Sequence, residues 1–208
     1  MIITLVLLAI LAAVTGMLVR EGLWRAVLMF FNVLMAASIA TAWFAPLANL
    51  LERYLDNCGY LLDFLSIWLI FCAVLAILRE VTDRMAPTKV EFPLLVERIG
   101  VGITAFMTGW VMVAFTATTL HTATVPRDFM QPTPEARMFL GLAPDHKWLG
   151  WIHGSSLSGP FSRRRGSKDT DDIFDIDRVF DPQANFILRY ADRRLKHQNQ
   201  VSTPAAGQ

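Results

Sequence analysis

Hydrophobic positions in this chain fall into four long runs before residue 120 and only short pieces after it. The run from Ile99 to Leu120 holds no charge; Glu97 and Arg98 precede it and His121 closes it. At ~1.5 Å rise per residue a helix of this length crosses a hydrocarbon layer of roughly 30 Å, so it is predicted to span a membrane. Gly100, Gly102, Ala105, Gly109, Ala114 and Ala117 interrupt its bulk. Small residues three or four apart let helices approach closely where lipid offers no hydrophobic drive, so this span should sit among the others.

The remaining runs repeat the theme. Ile2 to Val19 forms a first span, with Ala9 and Ala13, and Ala12 and Gly16, at close-packing intervals. A cleaved signal peptide is the competing reading, but the run is long for one and positive charge follows it instead of preceding it. After the polar turn Arg20 to Arg25, a second span runs from Ala26 to Pro46, carrying Asn32 inside and Trp43 near its end. Residues 46–60 are expected to lie along the surface as an amphipathic loop. A third span, Leu61 to Leu78, has Asp63 in its first turn, and the loop Arg79 to Arg98 leads to the fourth.

After His121 the pattern changes to polar, Pro-rich sequence. Residues 121–161 hold two short helical pieces, one opened by Thr133-Pro134-Glu135 with Met138, Phe139 and Leu142 on its apolar side, the other around Trp148, Leu149, Trp151 and Ile152. These are expected to dock on the outer membrane face or the bundle, with Trp148 and Trp151 gripping a partner as the alternative. Residues 162–180 read as a charged loop. A helix over 181–198 follows, with Asp181 as cap, Pro182 at its first position, and Phe186, Ile187 and Tyr190 on one side. Residues 199–208 are expected to be disordered. The fold class is therefore all-α: a polytopic membrane protein with four transmembrane helices over 1–120 and a partly ordered, helix-containing C-terminal tail.

Composition strengthens this picture. A 54% hydrophobic content with 18% charged residues, and a mean hydropathy of +0.41, exceed what a soluble chain of 208 residues usually carries. The net charge of +1 has no separated basic patch behind it, so nucleic acid is not an expected partner. Placement of the charges sets orientation. Arg20 and Arg25 lie in loop one, Arg79, Arg84, Lys89 and Arg98 in loop three, and only Arg53 in loop two. Loops one and three should face the cytoplasm, and both termini should face outward. Arg20-Glu21, Arg79-Glu80 and Glu97-Arg98 would then form a ring of ion pairs at the inner edge.

Candidate chemistry is sparse. Asn32 is read as an interhelical hydrogen bond, with a substrate contact as the alternative. Asp63 is read as an interfacial acid favoured by the helix dipole, or as a partner for His121, which lies on the same side of the membrane. His146 and His153 stand two helical turns apart but lack further metal ligands, and the acids from Asp169 to Asp177 lack the Gly and Glu of a calcium loop. Cys58 and Cys72 suggest neither a disulfide nor a metal site. No nucleophile with a neighbouring base is visible, so no catalytic role and no cofactor are expected.

Two segments resemble a known family. Gly22-Leu23-Trp24-Arg25-Ala26 after the first span, and Glu97-Arg98-Ile99 with Ala105 and Gly109 in the last, look like the two signatures of the colicin V production protein family. That family's pattern is Arg-Gly-x-x-Arg in the first turn and Asp-Arg followed by glycines four apart ending in Arg-Gly. Here Glu21 displaces Arg20 by one residue, Val101 and Ala105 replace two glycines, and Thr108 stands at the arginine position. Ile2, Ile3 and Thr4 occupy the place of a family acid near the chain start. The resemblance implies a four-span inner-membrane protein linked to bacteriocin production and envelope homeostasis, with no catalytic residues to carry over.

Three function classes follow. The first is a non-enzymatic envelope protein acting on membrane or envelope protein partners, with association of several copies as a further reading. The second is a subunit of a transporter or channel, for which Asn32, Asp63 and His121 would line a path. The third, and weakest, is a membrane-anchored enzyme using the tail.

Overall fold

A computed structural model of the chain describes residues 2–52, 59–86, 92–123, 139, 141–158, 180–181, 186–188 and 190. All regular structure among these is helical. Five helices are defined: α1 (Ile2–Leu18), α2 (Leu23–Glu52), α3 (Gly59–Met85), α4 (Leu94–Thr122) and α5 (Pro144–Ser158). Three helices are long and apolar enough to cross a membrane, covering Leu23–Ala48, Leu61–Met85 and Leu94–Thr122. The expected fourth, α1, is shorter, an apolar helix of 17 residues.

Hydropathy marks where a chain is greasy, but helices continue past that point wherever the backbone stays paired. So α2 begins at Leu23, inside the expected turn, and passes through Pro46 to Glu52, replacing much of the expected surface loop with continuous helix. Similarly α3 runs on to Met85, where Arg79 meets Asp83 and Glu80 meets Arg84 at one-turn spacing. Such exposed pairs add only about 0.3–0.5 kcal/mol each, enough to favour another turn of an already formed helix. The expected inner ring of ion pairs does not form among the described residues: the acid–base contacts of Arg79 and Arg84 stay within α3.

α1 packs along α4, α2 along α3, and a seam between α2 and α4 joins the two pairs. Ala36, Ala37 and Ala40 of α2 are fully buried and share a core cluster with Ala114 and Phe115 of α4. At the α1–α4 contact, a Cβ on Gly109 would come within 2.8 Å of Thr15 Oγ1, 2.9 Å of Leu11 Cδ1 and 3.2 Å of the Leu11 carbonyl oxygen. Gly109 is therefore a point where the two helices approach too closely for a side chain. Gly16 and Gly102, by contrast, have no atom within 4 Å of such a Cβ, so their small size serves no contact among the described residues. Outward faces carry Leu5, Met17, Leu69, Ile77, Leu95 and Ile103, a broad apolar surface that suits lipid and not water.

The connection between α1 and α2 is tight. Gly22 sits at φ +88°, a left-handed conformation that an L side chain rarely adopts, and turns α1 into α2 within residues 19–22. Glycine substitutions separate the two roles of small residues. Gly102→Ala should stabilise the detergent-solubilised protein by up to about 1 kcal/mol through helix propensity. Gly109→Ala should destabilise it, because the Leu11 backbone cannot retreat without parting α1 from α4; thermal unfolding of both variants checks the difference in sign.

Candidate functional site

Polar side chains inside an apolar bundle need partners, and tracing those partners locates the candidate site. Near the end where α1 turns into α2, Asn32 Nδ2 donates to Thr82 Oγ1 at 2.8 Å, tying α2 to α3. Thr82 in turn donates to the carbonyls of Leu78 and Arg79, so it has a free lone pair for Asn32. Asn32 is thus engaged in an interhelical bond, one of its two expected readings.

The other end is where the tail enters. Along α5 the buried positions are Asp145, Trp148, Ile152 and Ser156, a stripe with helical spacing, while His146, Lys147, Gly150 and Gly154 face outward. Pro144 opens the helix, where its missing N–H costs nothing, and Asp145 lies in the first turn, favoured by the dipole. Three side chains of this helix hydrogen-bond to the bundle, and Lys147 Nζ lies over the Trp110 ring of α4, 5.8 Å from its centroid. Asp145 Oδ2 pairs with His121 Nε2 at 2.9 Å, with both side chains fully buried. Trp148 Nε1 donates to Thr41 Oγ1 at 3.2 Å, and Trp151 Nε1 to Ser38 Oγ at 3.4 Å. Phe115 of α4 meets Trp148 edge-on, with ring centroids 6.2 Å apart.

A second tail segment covers α3. Tyr190 donates its hydroxyl proton to Asp63 Oδ2 at 3.1 Å, and Phe186, Ile187 and Tyr190 join the core cluster that contains Phe44, Trp148 and Ile152. This corrects the expected contact between Asp63 and His121. Each has a tail partner instead, because the tail packs into the end of the bundle and reaches both groups. The two tail segments also hold each other: His153 Nδ1 donates to the Phe180 carbonyl at 2.9 Å, and the Phe180 N–H donates to Ser156 Oγ at 3.2 Å.

Electrostatics at Asp145 follow from this geometry. Burial pushes its carboxyl up, but the hydrogen bond and charge from His121, helped by His146, more than offset burial and hold it below the usual aspartate range. A charged carboxylate can only accept, so Nε2 of His121 carries the proton of the contact. His121 Nδ1 is buried with no hydrogen-bond partner.

The remaining expected site residues cluster at the opposite end. Arg20, Arg25 and Arg98 are exposed; Glu97 Oε1 lies 3.5 Å from the position of a Cβ on Gly22, and Leu23 packs onto Gly100. The two segments of the family resemblance therefore meet in space. Ala105 is fully buried, and its carbonyl lies 3.5 Å from Thr15 Oγ1. Among the described residues, no group of three or more His, Cys, Asp or Glu is placed to hold a metal ion, and Cys72 is a free, exposed thiol. Cys58, Thr133 to Glu135, the acids from Asp169 to Asp177, Arg193 and Arg194 lie outside the described residues.

The residues that sequence reasoning missed are Thr82, Asp145 and the bonding role of Tyr190. Asp145 was the findable one: Pro144-Asp145 followed by Trp148, Ile152 and Ser156 spells a capped helix with one inward stripe. The chain matches no family model, no curated protein and no solved structure.

A carboxyl held below its ordinary value stabilises the fold above that value, near pH 3.9, and the contribution disappears as pH falls through the lowered one. Seating of α5 should accordingly be insensitive to Asp145 between pH 7 and 5 and weaken only below about pH 4. Protease cleavage within α5, compared between the parent and Asp145→Asn across that range, measures it; the acid-dependent rise should be smaller in the variant.

Proposed function

We propose that this chain is a non-enzymatic, multi-pass protein of a bacterial inner membrane, in which a helical body carries a docked C-terminal arm toward partners in the envelope. One observation supports this reading above others: the polar groups first weighed as a transport path are each engaged within the chain. Asn32 bonds Thr82, Asp63 bonds Tyr190 and His121 bonds Asp145. Such use of polar side chains builds and orients a scaffold.

In this reading α1 is a fourth span. Its 17 residues extend about 26 Å, at the short end of what crosses a bilayer. The excess of arginines in the first and third connections supports a cytoplasmic side for those ends, with α5 and the C-terminal segment on the outer side in this reading. The resemblance to the colicin V production family supports a role in bacteriocin production or envelope homeostasis, exerted through contacts with other membrane or envelope proteins.

Two measurements test the proposal. Reporters fused after Met85 and after Gln131 should read cytoplasmic and extracytoplasmic respectively; the reverse pattern would overturn the topology. Deleting the chain from its host should raise envelope permeability to an impermeant dye or lower bacteriocin output, with recovery on re-expression. A deletion that changes neither quantity would remove the functional reading while leaving the topology intact.

A further inference from the structure

The contacts of α5 with the bundle are unequal in a way that matters for its movement. Ser38 and Thr41 accept from the two indoles, yet both hydroxyls already donate to carbonyls of their own helix, Ser38 to Leu34 at 2.7 Å and Thr41 to Ala37 at 2.8 Å. If α5 leaves, these groups keep their bonds and the indoles find water. His121 has no such reserve. Its Nε2 bonds Asp145, and its Nδ1 bonds nothing.

The approach to α5 is strained. Phe139, Gly141 and Ala143 have φ values of +52°, +82° and +45°, so three of the five residues before Pro144 are left-handed, two of them with side chains that disfavour it. Phe139 is held there by its burial beside Trp110, at a centroid distance of 5.9 Å, in the cluster between α1 and α4. At the far end of α5, His153 and Ser156 are tied to Phe180 and not to the bundle. The outward face, with His146, Gly150 and Gly154, is already compatible with water, and Lys147, exposed beside the Trp110 ring, exchanges that contact for water on opening.

We propose that α5 is a releasable strap, fastened at Asp145 and tethered at His153 and Ser156, that opens from its Pro144 end to uncover the groove between α2 and α4. Closed, it lays Trp148 and Ile152 in the core cluster that holds Ala36, Ala37, Ala40, Ala114 and Phe115, with Phe115 edge-on to Trp148. Opening relaxes the left-handed residues and leaves the hydroxyls of α2 satisfied, so the His121–Asp145 pair is the contact that sets how often the strap lifts. The groove so exposed is narrow, alanine-lined and edged by Thr41 and His121, and α5 itself defines what fits it: a helix presenting aromatic N–H groups.

Cysteine accessibility tests the strap directly. In full-length protein with Cys58→Ser and Cys72→Ser, reconstituted in liposomes, Thr41→Cys places a thiol under Trp148, and Ala105→Cys places one in the α1–α4 seam away from α5. A membrane-impermeant maleimide should label the first slowly but measurably. Adding Asp145→Ala should speed that labelling roughly ten- to hundredfold, the effect of leaving one buried donor unpaired. Labelling of Ala105→Cys should not change. Exchanging the pair, with His121→Asp and Asp145→His together, should restore slow labelling of Thr41→Cys. No acceleration at Thr41→Cys, or equal acceleration at both thiols, would overturn the proposal, the latter because the bundle and not the strap would be opening.

Discussion

Everything in this molecule depends on how closely α2 and α4 can approach. Ala36, Ala37 and Ala40 on one helix and Ala114 on the other are buried in one core cluster, where their small side chains let the backbones draw together. In lipid, hydrophobicity does not favour one apolar contact over another, so close packing and internal hydrogen bonds carry the selectivity. A larger residue in the seam would separate the α1–α4 pair from the α2–α3 pair. It would also lift the floor on which Trp148 and Ile152 rest.

The second organising constraint is polar satisfaction. Where water is scarce, a polar side chain gains from a partner inside the fold, and the bundle supplies unlike partners at its two ends while Ser66 Oγ, Thr116 Oγ1 and Asp145 Oδ1 stay buried without one. Near the α1–α2 turn the match is helix to helix, Asn32 to Thr82. At the other end it is bundle to tail, through His121, Thr41, Ser38 and Asp63. The tail is therefore part of the core, and its aromatic residues fill space that four helices alone would leave open. Phe115 illustrates this: it is fully buried and touches Trp68 and Phe71 of α3 as well as Trp148 of α5.

Hydropathy alone located all four apolar helices of the body, because a helix buried in lipid or packed in a bundle writes its length into composition. It misjudged their ends, since Arg79 to Met85 and Pro46 to Glu52 are helical for backbone reasons that hydropathy does not weigh. Small residues were legible as a class but not individually. Gly109 and Gly102 look alike in sequence, and only the position of α1 tells which of them is in contact. Pairings across long separations were the least legible: His121 and Asp63 are similar distances from their span ends, and nothing local says that Asp145 takes one and Tyr190 the other. That choice is made by the path of the tail.

The turn at Gly22 has a consequence for how the molecule is made. With only residues 19–22 between them, α1 and α2 are synthesised as near neighbours, yet the surface that α1 fits belongs to α4. Its seat at Gly109 is not synthesised until some ninety residues after Thr15 has emerged. During that interval the first helix of the chain is a newborn without a berth, and the order of translation makes its arrival beside α4 the step that closes the body.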